Sequence, residues 1–301
     1  MQKKYDTRTV LPLSPASKGM EAVNVAIIGT GLIGGSMAIA LKEYGIASKI
    51  IGVEINNEYR QQALDLLLVD EINELNDAVS KCDVVILAVP VDIATKMIGD
   101  ILNKADKKIV IDVGSTKGAI CEAASKSKNR NRFVATHPMW GTEYKGPEAA
   151  VKGAFVDKAV VICNKKESDA DAIEFTENMY RQLGMHLIYM DAVSHDVHAA
   201  YVSHISHITS FALANTVLEK EREEDAIFEL ASGGFESTVR LAKSNPAMWV
   251  PVFAQNRENV LDVLNEHISQ LRKFKSCLEK ENYEYLTELI ENANKITRIL
   301  K

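Results

Sequence analysis

The chain lacks a basic cluster, an apolar run long enough to cross a bilayer and any paired-cysteine motif, and each absence removes a class of function. Lysine and arginine number 35 against 41 acidic residues, for a formal charge of −6. With no basic patch, nucleic acid is not expected as the main partner. Unbroken apolar runs such as Val84 to Val91 fall far short of the roughly 20 residues a membrane helix needs. Cys82, Cys121, Cys163 and Cys277 are scattered without a CxxC pattern, which fits reduced thiols in the cytoplasm better than disulfides or a zinc site. Met1-Gln2-Lys3-Lys4 is basic, but no apolar signal core follows, so residues 1–20 read as an N-terminal tail. With 47% hydrophobic and 25% charged residues the composition is that of a globular protein, which excludes general disorder. A chain of 301 residues is long for one core, so two domains are expected.

What is present begins at Val23. Val23 to Ile28 is a short β-branched run, Gly29-Thr30-Gly31-Leu32-Ile33-Gly34 follows at once, and a helical pattern continues to about Tyr44. A second strand, Lys49 to Val53, ends in Glu54. In this order the glycines have separate tasks: a tight turn, close backbone approach to a pyrophosphate, and close helix–strand packing. The helix N-terminus offers N–H groups and positive dipole to the phosphates. Glu54 is spaced to accept hydrogen bonds from the ribose hydroxyls and to repel a 2′-phosphate, which favours NAD over NADP. Gly29, Gly31, Leu32, Ile33 and Gly34, with Glu54 and with Val89 and Pro90 at the end of a later strand, form the expected cofactor-binding set. The competing reading is a glycine-rich turn that binds nothing.

Further strands are expected at Asp83 to Val89, Lys108 to Val113 and Arg132 to Thr136, separated by helices as a parallel βαβ series requires. Ala159 to Cys163 and His186 to Tyr189 bracket a helix from about Ser168 to Leu183. Beyond Asp191 only helical periodicity remains, broken at Gly233-Gly234, at Asn245-Pro246 and near Lys280. The expected fold is an α/β Rossmann-type domain with a mostly parallel sheet (residues 21–190), followed by an all-α domain (residues 191–301). The helix from Ala192 to about Glu221 is apolar nearly all round, so burial against a second subunit, and thus a homodimer, is expected.

Four stretches carry candidate chemistry. Asp112-Val113-Gly114-Ser115-Thr116-Lys117-Gly118 ends a parallel strand at the edge that faces the ligand crevice; Ser115 there is either a hydrogen-bonding group near the nicotinamide or a helix N-cap. His137, in Thr136-His137-Pro138-Met139-Trp140-Gly141-Thr142-Glu143, is presented to the same edge, and an imidazole suits proton acceptance near neutral pH. The alternative is a buried histidine bonded to a backbone carbonyl. His195, His198, His204 and His207 cluster on one helix, but on continuous α-helical winding the first pair faces nearly opposite to the second, so no metal site is expected. Arg240 follows Ser232-Gly233-Gly234-Phe235 and is either a carboxylate clamp or a solvated surface residue.

Taken together, GTGLIGGS, DVGSTKG, HPMWGTE, YVSHISH and SGGFESTVRLAKSNPAMW, in order from about Val23 to Asn259, resemble the prephenate/arogenate dehydrogenases of tyrosine biosynthesis. The resemblance implies an NAD-dependent oxidative decarboxylation and a helical dimerisation domain. It implies His137 as the catalytic histidine, Ser115 as the serine near the reacting hydroxyl, Arg240 as the carboxylate clamp and His207 as a group at the substrate's side-chain end. Gly233 and Trp249 complete the expected substrate-binding set. A histidine at 207 favours prephenate over arogenate, whose amine prefers a neutral or acidic neighbour. The chain departs from the commoner pattern at Trp140, Ser206, Glu236 and Pro251, which puts pocket shape and selectivity in question and leaves the reaction class intact. The nearest rival, a β-hydroxyacid dehydrogenase, relies on a catalytic lysine in the second domain. A NAD-sensing protein without turnover is the rival of another class.

Overall fold

A computed structural model of the chain describes residues 21–221 and 232–298; the tail expected over residues 1–20 lies outside the described residues. Eight strands form one sheet: β1 (Val23–Ile28), β2 (Ala47–Val53), β3 (Glu71–Ile72), β4 (Val84–Leu87), β5 (Ile109–Asp112), β6 (Phe133–Pro138), β7 (Ala159–Cys163) and β8 (His186–Met190). Their spatial order is β3-β2-β1-β4-β5-β6-β7-β8. The first six strands are parallel in the 3-2-1-4-5-6 order of a doubly wound dinucleotide fold.

Six helices accompany the strands: α1 (Leu32–Glu43), α2 (Asn57–Asp65), α3 (Leu75–Lys81), α4 (Val91–Ala105), α5 (Gly118–Ser125) and α6 (Ala170–Gln182). Alternate strand residues feed two separate cores. Val25, Ile27, Ile86 and Ile111 pack with α1 and α6 on one face, and Ala26, Ile28, Val85 and Val110 with α3, α4 and α5 on the other. Burial on both faces explains why these strands read as continuous apolar runs.

The expected parallel series runs through β6; β7 then pairs antiparallel to β6 with His137 opposite Val161, and β8 runs parallel to β7, so the sheet is mostly parallel, as expected. The reason lies in the connection. Instead of a crossover helix, the chain after β6 passes over the first helices, where Ser36 Oγ accepts from Val151 N at 2.9 Å, and re-enters beside β6 from the opposite direction.

Register aligns the chemistry on one edge. Ile28 pairs with Val53 and Leu87, Leu87 with Asp112, and Asp112 with Ala135. The glycine turn, Glu54, Val89-Pro90, Ser115 and His137 therefore all leave the sheet at its carboxyl edge.

The helical half follows as α7 (Ala192–Ala199), α8 (Ile205–Glu221), α9 (Gly233–Val239), α10 (Pro246–Gln255), α11 (Arg257–Glu279) and α12 (Tyr283–Asn294). Between α7 and α8 the chain winds as a π-helix over Ala200–His204. Gly233 and Gly234 form the first turn of α9 after Ser232, so the glycine pair opens a helix and is not the expected loop. Pro251 sits inside α10. This half docks on the carboxyl edge through Val91, Trp249, Val252 and Phe253. Gln255 ties the two halves, accepting from Thr116 Oγ1 at 2.7 Å and donating to Thr95 Oγ1 at 3.1 Å. Among the described residues no helix is long and apolar enough to cross a membrane.

Candidate active site

The glycine turn is as tight as its sequence requires. Gly29 has φ +92°, and a Cβ there would meet Ala88 O at 2.6 Å and Val89 Cγ1 at 2.9 Å. A Cβ at Gly34 would stand 1.9 Å from Gly29 O, whereas at Gly31 nothing lies within 4 Å. Gly31 caps α1 without a side-chain hydrogen bond, so no capping side chain takes up the first N–H groups of that helix, as a phosphate site needs. Leu32 and Ile33 open α1 beside it, and Pro90 caps α4 next to Val89.

Glu54 is more engaged than the sequence reading anticipates. Its Oε1 accepts from the backbone N–H of Ile55 and Asn56 at 2.9 and 3.0 Å. Its Oε2 accepts from Thr30 N and Thr30 Oγ1 at 3.2 and 3.3 Å. Four donors fill a carboxylate, so a ribose accepted by Glu54 would have to take over the two long contacts to Thr30. Thr30 is thus a partner of Glu54 that the motif alone does not reveal.

Beneath the crevice lies a buried polar knot. Lys117 and Asp112, both essentially inaccessible, form an ion pair; Lys117 Nζ also donates to Thr136 O at 2.7 Å, and Asp112 Oδ1 accepts from Thr136 N at 3.2 Å. The knot fixes the backbone immediately before His137. Ser115, half-buried, is on the loop above it.

His137 is 8% exposed, and its Nδ1 lies 2.8 Å from His195 Nε2. Burial first, then the neighbouring His195, Lys117 and His204, hold its pKa well below the ordinary histidine value of 6.5. It is therefore a free base at neutral pH. The alternative reading, a histidine bonded to a carbonyl, does not hold: its partner is another imidazole.

The histidine cluster separates by environment. Expectation put His204 and His207 nearly opposite His195; the π winding between them turns the helix less per residue, and His204 instead approaches the His137–His195 side. Burial lowers the pKa of His204 to about 4, with Asp196 opposing the shift and His195 and His207 adding to it. Its Nδ1 lies 3.1 Å from Asn256 Nδ2. His207 stacks on Trp249 with ring centroids 3.5 Å apart, and its pKa is lowered by burial and by Arg240, against a hydrogen bond to Ser203 O. His198 is exposed and bonds to Ser194 O. Among the described residues no group of three or more His, Cys, Asp and Glu side chains could hold a metal.

Arg240 reaches the same cleft by a route the sequence did not reveal. Its Nη1 donates to Glu143 Oε2 at 2.9 Å, which ties the turn after α9 to the loop after His137. The Arg240 side chain is 51% exposed and that of Glu143 12%, so the guanidinium keeps donors in the open that an incoming carboxylate can reach. Trp140, expected to reshape the pocket, instead packs edge-on against Phe155 with centroids 5.6 Å apart. Glu143, Asn256 and Asp196 are members of this cleft to which no motif assigns a role. The one available signal was Asp196, an acid directly after His195.

Residues 37–189 match the family model described as the prephenate dehydrogenase nucleotide-binding domain, and residues 191–292 match its dimerization domain. The chain is 29% identical to the prephenate dehydrogenase of Bacillus subtilis over 89% of this chain and 74% of that protein. It is 30% identical to the cyclohexadienyl dehydrogenase of Zymomonas mobilis over 92% and 96% respectively. Among solved structures, the prephenate dehydrogenase of A. aeolicus, in complex with hydroxyphenyl propionate and NAD+, superposes with a TM-score of 0.83 at 31% identity, covering 94% of this chain and 99% of that one.

Proposed function

Since the chain belongs to the prephenate dehydrogenase family, we propose that it oxidatively decarboxylates a cyclohexadienol, prephenate in the first place, to a phenol with NAD as hydride acceptor. The observation that carries this reading is His137: a neutral, nearly buried imidazole at the carboxyl end of β6, whose Nδ1 is engaged by His195 and whose Nε2 is left for a substrate. It stands on the same sheet edge as the glycine turn. The relative in complex with NAD+, the open space at Gly31 and the carboxylate of Glu54 support NAD as the cofactor.

Bound NAD supplies the acceptor for hydride leaving the carbinol carbon of the ring. His137 Nε2 takes the hydroxyl proton as that carbon becomes a carbonyl. Departure of the ring carboxylate as CO2 sends its electron pair into the ring, and the resulting phenolate oxygen recovers the proton from His137. Ser115 hydrogen-bonds near the reacting hydroxyl. Arg240 grips a substrate carboxylate through its fork, directly after the helix that Gly233 opens. Trp249 and His207 form a stacked wall at the substrate's side-chain end. Aromatisation makes the sequence downhill, and the protein's task reduces to positioning and to holding one proton.

The choice between prephenate and arogenate rests on less. His207 is kept neutral by burial and by Arg240, so it cannot select by charge, and arogenate remains the second reading. Dimerisation through the helical half is part of the proposal. Val202, Leu218 and Leu271 stand at 66%, 50% and 55% exposure, apolar surface that a second subunit would cover.

The test follows absorbance of reduced cofactor with prephenate and with arogenate, each offered with NAD and with NADP. Signal from prephenate with NAD is expected, and none from either substrate would reject the reading. Arg240→Ala is expected to raise KM for substrate by about 10–100-fold, the loss of a charge-assisted hydrogen bond of about 1.5–3 kcal/mol; an unchanged KM would remove Arg240 from the clamp. Glu54→Ser is expected to erode the preference for NAD over NADP, since the repulsion of a 2′-phosphate goes with the carboxylate. Undiminished discrimination would mean the ribose is read elsewhere.

A further inference from the structure

His137 presents a difficulty as a base. Burial, Lys117 and two other imidazoles all oppose a positive charge on it, and a base that resists its proton works poorly. The groups behind it remove the difficulty. His195, 2% exposed, sits with Nε2 at 2.8 Å from His137 Nδ1 and with Nδ1 at 2.8 Å from Asp196 Oδ1. Asp196, 7% exposed, also accepts from Lys117 N and Gly118 N, each at 2.8 Å. Burial opposes its ionisation, but the hydrogen bonds from His195 and from the two backbone amides outweigh burial and keep its pKa below the usual range. It is a carboxylate, and a carboxylate only accepts.

With both imidazoles neutral at rest, that fixes the protons along these hydrogen bonds. His195 must carry hydrogen on Nδ1 to donate to Asp196, so its Nε2 is a lone pair. His137 must then donate from Nδ1, and its own lone pair is on Nε2, the nitrogen that meets the substrate. We propose that His195 and Asp196 are positioning residues that hold His137 in the reactive tautomer and take the charge it acquires; the proposal rests on the reading of His137 as the base.

As Nε2 of His137 accepts the substrate's hydroxyl proton, its Nδ1 proton crosses to His195 Nε2. His137 ends neutral, and His195 becomes an imidazolium against the Asp196 carboxylate. When the phenolate retakes its proton from Nε2, the Nδ1 proton returns. No proton is created or lost, and the cation rests beside its counter-charge rather than beside Lys117. The groups facing this chain are Lys117, with Asp112 behind it, from the loop after β5, His204 from the π-helical turn, and Asn256, which donates to Asp196 O at 2.7 Å and lies at the start of α11.

The decisive variants are Asp196→Asn and His195→Gln. Asparagine can donate toward His195 and so reverse both tautomers, leaving His137 with hydrogen on Nε2. Glutamine can still accept from His137 Nδ1 but cannot carry the charge. In the whole protein, with prephenate and arogenate each offered with NAD, Asp196→Asn is expected to lower kcat by about 10²–10⁴-fold, to move the acid limb of the kcat/KM profile to lower pH, and to leave KM and calorimetric NAD affinity near their wild-type values. His195→Gln is expected to lose less, because it keeps the orientation alone. An unmoved acid limb in both variants, whether kcat is unchanged or falls together with NAD affinity and Tm, would overturn the relay and leave these residues a structural role. If His137→Asn is inactive while both relay variants turn over normally, the relay fails and the base stands. If His137→Asn itself turns over normally, the underlying reading fails.

Discussion

His137→Asn is expected to lower kcat by about 10²–10⁴-fold, the range of a lost general base, while NAD affinity measured by calorimetry is retained. Asparagine keeps a polar side chain toward His195 but has no basic nitrogen, and the cofactor turn between β1 and α1 lies on other strands. The pH dependence follows from the depressed pKa of His137. Its neutral form is the active one, so activity is fully present from neutrality down past pH 6.5. It is lost only as pH falls through the much lower pKa that burial, His195, Lys117 and His204 impose. In the variant that acid limb should vanish with the group. Near-normal turnover, or a wild-type limb at or above pH 6.5, would contradict the role.

The parts of this molecule that were legible in sequence are those whose cause is local. β1, the glycine turn, α1 and β2 occupy consecutive residues, and their burial on both faces wrote a continuous apolar pattern. The observed β1, Val23–Ile28, and β7, Ala159–Cys163, coincide with the expected runs. β3 was missed because Glu71–Ile72 carries no pattern of its own; it exists through pairing with Ile51 and Gly52. The reversed direction of β7 was equally hidden, since strand polarity depends on the route of the loop before it. A strand's residues read the same in either direction.

The site divides along the same line. His137 and Ser115 were visible because strand ends in a parallel sheet share one edge. The contact between His137 and His195 spans 58 positions, and the one between Glu143 and Arg240 spans 97. No periodicity reports such pairs. The histidine cluster departs from its expected placement for a specific reason: regular α-helical winding gives about 100° per residue, but across Ala200–His204 the winding is π. Such turns in long helices commonly mark functional positions. Here the turn brings His204 to the face on which His195 already lies.

Gly34→Ala and Gly31→Ala test the cofactor turn from opposite sides. At an open helical position, alanine in place of glycine stabilises by up to about 1 kcal/mol. At Gly34 the new Cβ would stand 1.9 Å from Gly29 O and 3.1 Å from Gly29 C. These are backbone atoms that no side-chain rotation moves aside, so the turn itself must open. Overpacking of this kind costs about 1–3 kcal/mol or more, so Tm is expected to fall, and NAD affinity with it. Gly31 differs, because its Cβ would meet nothing within 4 Å. Gly31→Ala should keep the wild-type Tm yet weaken NAD binding by about 10–100-fold, the same steric cost now imposed on the pyrophosphate. Thermal melts with and without NAD separate the two effects. A rise in Tm for Gly34→Ala would mean that the turn relaxes freely. Unchanged NAD affinity for Gly31→Ala would mean that the phosphates do not approach this loop, and the assignment of the glycines would fall with it.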